Sequence, residues 1–210
     1  MKKYISEKEK ASYGFAAVGS YMVAGITQSY LMYFFTDILI IPSAFVMILM
    51  IVARVWDALN DPMMGVIVDR TSTKYGKMRP YVLIGSFLML VTTIVLFMPL
   101  TGAPTMFKMI FAAVSYIIFG MAYTLTDVPA MGLMSVATPN SDERASLLSF
   151  YVTVGSVGSL LPVGLLTIFQ SFIPEKYVYL AMSILVGIIT SAAYLTLFKN
   201  SKERFSTHTE

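Results

Sequence analysis

The stretch IVARVWDALNDPMMGVIVDR, Ile51 to Arg70, decides how the chain reads. It lies in a run apolar enough to cross a bilayer, yet it carries Arg54, Asp57, Asn60 and Asp61 before its charged end. Ionisable groups in hydrocarbon cost several kcal/mol each, so they face a polar interior rather than lipid. At ~100° per residue these four fall within an arc of roughly 120° on a helix. One membrane helix therefore carries one polar stripe, and the rest of the chain is the scaffold that gives the stripe partners.

Composition supports a membrane setting. Of 210 residues, 57% are hydrophobic and only 13% charged, and the mean hydropathy is +0.72. A soluble domain of this size carries about 25% charged residues. The expected fold is all-α: a polytopic membrane protein of six spans of about 20 apolar residues, with no room for a soluble domain. The net charge of +3 follows the membrane rather than forming a nucleic-acid footprint, so no nucleic-acid partner is expected. The chain has no cysteine, which excludes disulfides and thiolate metal sites. The run Ala11 to Ile41 is too long for a signal-peptide core and reads as a retained first helix.

The spacing predicts helices over Ala11–Ile40, Ala44–Val68, Tyr81–Leu100, Met106–Val136, Ala145–Gln170 and Tyr177–Phe198. Residues 1–10 read as a cytoplasmic N-terminus and 11–198 as a six-helix bundle. Residues 199–210 read as a cytoplasmic tail or the start of a linker, and cytoplasmic loops fall at about 69–80 and 137–144. Under six spans Lys2, Lys3, Lys8, Lys10, Arg70, Lys74, Lys77, Arg79, Arg144, Lys199, Lys202 and Arg204 share one side. Lys108 and Lys176 fall opposite. The positive-inside rule then places both termini in the cytoplasm, with membrane lipid as the surrounding partner.

Asp57 and Asp61 are one helical turn apart, so their carboxylates stack on one face. Asn60 adds an amide oxygen, and Pro62 leaves the carbonyl of Ala58 without its helical donor. Several oxygens at one depth suit a hard cation such as Na⁺. The two carboxylates could equally share a proton, because close like charges oppose double ionisation. The structural alternative is an ion pair between Arg54 and Asp57 that only neutralises charge. The fourth helix repeats the pattern in FGMAYTLTDVPAMG. Thr124, Asp127 and Met131 share a face there, with Tyr123 at its edge. The alternatives are a helix–helix hydrogen bond for Asp127 and core packing for Tyr123 and Met131. In the first helix Gly14, Tyr21, Gly25 and Gln28 share a face that either lines a cavity or packs. In the fifth, Ser149, Thr153, Ser156 and Ser159 line a cavity or bond between helices. Asp37 reads as solvated at the outer face, and His208, the only histidine, as a tail residue without a site. No catalytic constellation appears, and no enzyme activity or cofactor is expected. An intramembrane aspartyl hydrolase is the weakest reading, because such acids come from two helices.

The segment ARVWDALNDPMMGVIVDRTSTKYGKMRPYVLIG resembles the signature of the glycoside–pentoside–hexuronide:cation symporters. SYGFAAVG with YLMYFFTD in the first helix and YTLTDVP in the fourth resemble the same family, so the likeness runs from about Ala11 to the tail ERF. Gly65, Asp69, Arg70, Gly76, Lys77 and Arg79 also resemble the cytoplasmic loop motif of the wider major facilitator superfamily, beside Arg54 in the helix. The resemblance implies two six-helix bundles with the substrate path between them. It implies a cation site, Na⁺ or H⁺, at Asp57, Asn60, Asp61 and Thr124, and a sugar-binding Asp127. Tyr21, Tyr123 and Met131 are the further candidates for contact with the sugar.

Melibiose-transporting members carry an Asp, a Trp and an Arg at the positions of Tyr21, Met131 and Val152, so a different sugar or glycoside is expected. Members have about twelve helices, which implies that a second six-helix half is the partner and that this chain alone does not carry out coupled transport. The alternative is a non-transporting remnant or an interaction partner of another permease in the cell membrane.

Overall fold

The computed structural model describes residues 4–205. Lys2, Lys3 and His208 lie outside the described residues. The chain runs as α1 (Glu7–Tyr33), a π-helical turn (Phe34–Ile38), α2 (Ser43–Arg70), α3 (Arg79–Leu96), α4 (Thr105–Ala137), α5 (Ser141–Gln170) and α6 (Glu175–Asn200). Among the described residues there is no strand.

Helix starts follow local chemistry. Ser6 caps α1, its hydroxyl accepting from the Glu9 N–H at 3.2 Å, with Glu7 and Glu9 in the first turn. The helix thus begins four residues before Ala11. Pro42, Pro104 and Pro174 stand at the N-caps of α2, α4 and α6, where a missing N–H costs nothing. Asn140 caps α5 by accepting from Asp142 N–H at 2.9 Å, so that helix starts at Ser141 rather than Ala145. Lys108 lies in the first turn of α4, is only 6% exposed, and donates to the Leu39 carbonyl at 2.7 Å. It thereby holds the bend after the π turn, where Ile40 adopts φ 56°.

The helices pack in the order α2–α4–α3–α6–α1–α5. α2 leans on α4 and on the π turn, while α1 is gripped by α5 and α6. Small residues set the closest crossings. A Cβ at Gly25 would lie 2.7 Å from the Ser159 carbonyl oxygen, and one at Gly158 would lie 2.7 Å from that of Val18. The face that carries Gly14, Tyr21 and Gly25 is thus the face on which α5 packs, as small-residue helix crossings require. The Ser156 and Ser159 hydroxyls donate to carbonyls of their own helix, at Val152 and Ser156.

Five helices, α2 to α6, are long and apolar enough to cross a membrane. The molecule is therefore an all-α polytopic membrane protein. α1 is the least apolar of the six helices. The core splits into two apolar layers. Met22, Phe34, Phe97, Phe119 and Tyr179 anchor one. Tyr13, Val82, Leu133, Tyr151 and Leu197 anchor the other. Between them, at matching depths, lie buried Ser20, Ser86, Thr124, Thr126 and Thr190. This polar belt positions the site.

Candidate functional site

A cavity of about 700 Å³ opens between α1, α2 and α4 at the level of the polar belt. Asp57, Asp61, Thr124, Asp127, Tyr123 and Arg54 all line it. Trp56, Tyr116 and Gln28 line it as well.

The two helices that carry the acids are stitched together inside this cavity. Thr124 Oγ1 donates to Asp61 Oδ1 at 2.8 Å, across α4 and α2. One turn away, Asp57 lies against Gly120, where an added Cβ would stand 3.0 Å from Asp57 Oδ1. Gly120 thus makes room for the carboxylate. Among the described residues no ion pair within 4 Å joins Arg54 to Asp57. Asn60 turns differently from its neighbours. It does not line the cavity, and its Nδ2 is buried without a partner among the described residues, as is Trp56 Nε1.

Asp127 is tied into a hydroxyl cluster. Its Oδ1 accepts from Ser20 Oγ at 2.7 Å, from the Tyr194 hydroxyl at 3.1 Å and from the Tyr151 hydroxyl at 3.5 Å. Ser20 Oγ also lies 3.1 Å from the Tyr123 hydroxyl. Sequence reasoning missed Ser20, Tyr151 and Tyr194. The available signal was a tyrosine hydroxyl at mid-span in an otherwise apolar helix, which needs a partner when buried.

Two candidates lie elsewhere. Tyr21 is absent from the cavity wall; its ring covers Gly155 of α5 and meets Tyr151 edge-on, with centroids 6.3 Å apart. Met131 is 43% exposed, also outside the cavity, and Val152 is comparably exposed on α5. Asp37 is exposed, as expected.

The cytoplasmic-motif residues divide. Asp69 and Arg70 are exposed at the end of α2, and nothing stands within 4 Å of a Cβ built on Gly65. Gly76, Lys77 and Arg79 instead form a cradle. Gly76 takes φ 106°, a conformation suited to glycine. The N–H groups of Lys77, Met78 and Arg79 donate to the Glu203 carboxylate at 2.8, 2.9 and 3.0 Å, an anion seated at the N-terminus of α3. The Arg79 guanidinium donates to the Phe198 carbonyl at 2.6 Å and stacks over the Phe198 ring. Beside it Arg204 grips Glu9 with two bonds, 2.9 and 2.8 Å, and this bonding raises the Arg204 pKa. The N–H groups of Arg204 and Phe205 donate to the Val136 carbonyl. Residues 201–205 are thus fastened to α1, α3 and α4.

Among the described residues no group of three or more His, Cys, Asp or Glu could hold a metal ion. Two carboxylates with a hydroxyl form a different kind of set, suited to an alkali cation held by few hard oxygens, or to a proton.

Residues 12–210 match the family model described as MFS/sugar transport protein. The chain belongs to that family. It is 33% identical over 206 residues to a Bacillus subtilis protein named uncharacterized symporter YjmB, covering 96% of this chain and 44% of the relative. It is 31% identical over 207 residues to the inner membrane symporter YicJ of Escherichia coli, covering 95% of this chain and 44% of the relative. It is 27% identical over 211 residues to an isoprimeverose transporter of Lactiplantibacillus pentosus, covering 98% and 44%. The likeness to the glycoside–pentoside–hexuronide symporters thus holds across the chain, and the relatives are transporters rather than enzymes. The chain spans under half the length of these relatives and matches their N-terminal portion.

Proposed function

We propose that the chain is the N-terminal half of a secondary transporter that moves a sugar or glycoside together with a cation, with α1 as a sixth span and both termini on the cytoplasmic side of the cell membrane. The coupling ion is Na⁺, with H⁺ as the alternative, and its oxygens come from Asp57, Asp61 and Thr124, with Asn60 joining when its amide turns inward. Asp127 and Tyr123 face the sugar. Tyr21 and Met131 border the region beyond the cavity. The observation that carries this reading is the Thr124–Asp61 bond, which sets two acids of α2 beside Asp127 of α4 in one cavity.

Cation binding at Asp57 and Asp61 removes negative charge from the wall opposite Asp127 and favours the sugar-binding arrangement, which is coupling by differential affinity. Transport requires the second half, because alternating access rocks one bundle against the other around a central site. Na⁺-dependent counterflow of labelled glycosides, in vesicles that hold this chain with a C-terminal six-helix half, tests the reading. Cation dependence is lost in D57C and D61C; its retention sinks the site assignment. A chain that serves only as a membrane interaction partner shows no counterflow with any such half.

A further inference from the structure

Three hydroxyls stand behind Asp127. Ser20 of α1, Tyr151 of α5 and Tyr194 of α6 converge on one carboxylate oxygen, Oδ1, at 2.7, 3.5 and 3.1 Å. All three residues are buried. No described residue bonds Oδ2, and Asp127 lines the cavity. The charged groups on the same cavity are Asp57, Asp61 and Arg54, all on α2, and none of them bonds Asp127. A carboxylate withdrawn from water without a cation is costly unless its oxygens are hydrogen-bonded. Donors to a charged oxygen give stronger bonds than neutral pairs and favour the ionised form.

We propose that Ser20, Tyr151 and Tyr194 are positioning residues that commit Oδ1 of Asp127 to the protein, oppose its protonation, and reserve Oδ2 as the acceptor for substrate hydroxyls. The proposal rests on the assignment of Asp127 to the sugar side. It adds that the acid's orientation is set from α1, α5 and α6.

The test is labelling of the purified chain in lipid vesicles with dicyclohexylcarbodiimide, which adds to protonated carboxyls, followed by peptide mass spectrometry of the Asp127 peptide. Wild-type Asp127 labels more slowly than any variant that lacks one of the three hydroxyls. S20A and Y194F label about tenfold faster, as loss of one bond to a charged group requires, and Y151F by a smaller factor, following the donor distances. S20T restores slow labelling. Each variant keeps the ring or backbone in place, and thermal unfolding run in parallel checks the fold. Altered unfolding with unchanged labelling assigns these residues a structural role only and overturns the proposal. Counterflow that survives D127N defeats the sugar assignment instead, whatever the labelling shows.

Discussion

Thr124 of α4 reaches across to Asp61 of α2 with a 2.8 Å hydrogen bond, and this is the bond that joins the two acid-bearing helices inside the cavity. Thr124 is 4% exposed, so its hydroxyl has no water to fall back on. A bond to a charged group is worth about 1.5–3 kcal/mol. T124V therefore raises the half-saturating Na⁺ concentration by about tenfold or more, while T124S stays within about threefold of wild type. Equal responses of the two variants contradict a ligand role for the hydroxyl.

Gly120 makes the second acid possible. A methyl group there would approach Asp57 Oδ1 to 3.0 Å, a tight contact to which the carboxylate must yield. G120A weakens the Na⁺ response a few-fold, and G120V, with two more carbons in the same space, abolishes it. Both variants insert and unfold within a few degrees of wild type, because the strain is confined to the cavity wall.

Glu203 accepts from three consecutive backbone N–H groups at the start of α3. E203A releases the loop, and trypsin then cuts after Lys77 about tenfold faster. Cleavage after Lys74, which is already exposed, changes little and serves as the internal control. G76A produces the same opening by another route, since its backbone conformation disfavours a side chain and its Cβ would collide with the Glu203 carboxylate.

The Glu9–Arg204 pair is asymmetric, with side chains 1% and 27% exposed. Removing the arginine strands the buried acid, so R204A costs about 3 kcal/mol, read as a fall in the thermal midpoint. R204K recovers only part of the loss, because an ammonium cannot reproduce the two-pronged grip. E9Q with R204A is less damaging than R204A alone, which separates the stranded charge from lost packing.

Much of this was legible in the residues. Arg54, Asp57 and Asp61 stand out because an apolar run tolerates ionisable groups only at a cost, and Thr124 and Asp127 lie at a matching depth on another helix. Other features left weaker marks. Tyr21 shares helical spacing with Gly14 and Gly25, and that spacing suits either a cavity wall or a close crossing; the glycines settle it by bringing α5 in. Ser20, Tyr151 and Tyr194 are unremarkable one at a time and acquire meaning only where three helices meet on Asp127. The Glu203 cradle joins residues 124 to 126 positions apart, a separation no local pattern encodes. Asn60 shares the angular stripe of Asp57 and Asp61, yet its amide nitrogen points into the protein, because a shared arc does not set a rotamer.

Trp56 offers the most direct measurement. It is the only tryptophan in the chain and lines the cavity with Asp57 and Asp61. Its fluorescence in the purified chain is followed as Na⁺ replaces choline at constant ionic strength. The account predicts a saturable change that disappears in D57N and in D61N and persists in D127N. A fluorescence unmoved by Na⁺, or a full response retained in D61N, contradicts the assignment of a Na⁺ site to α2 and α4.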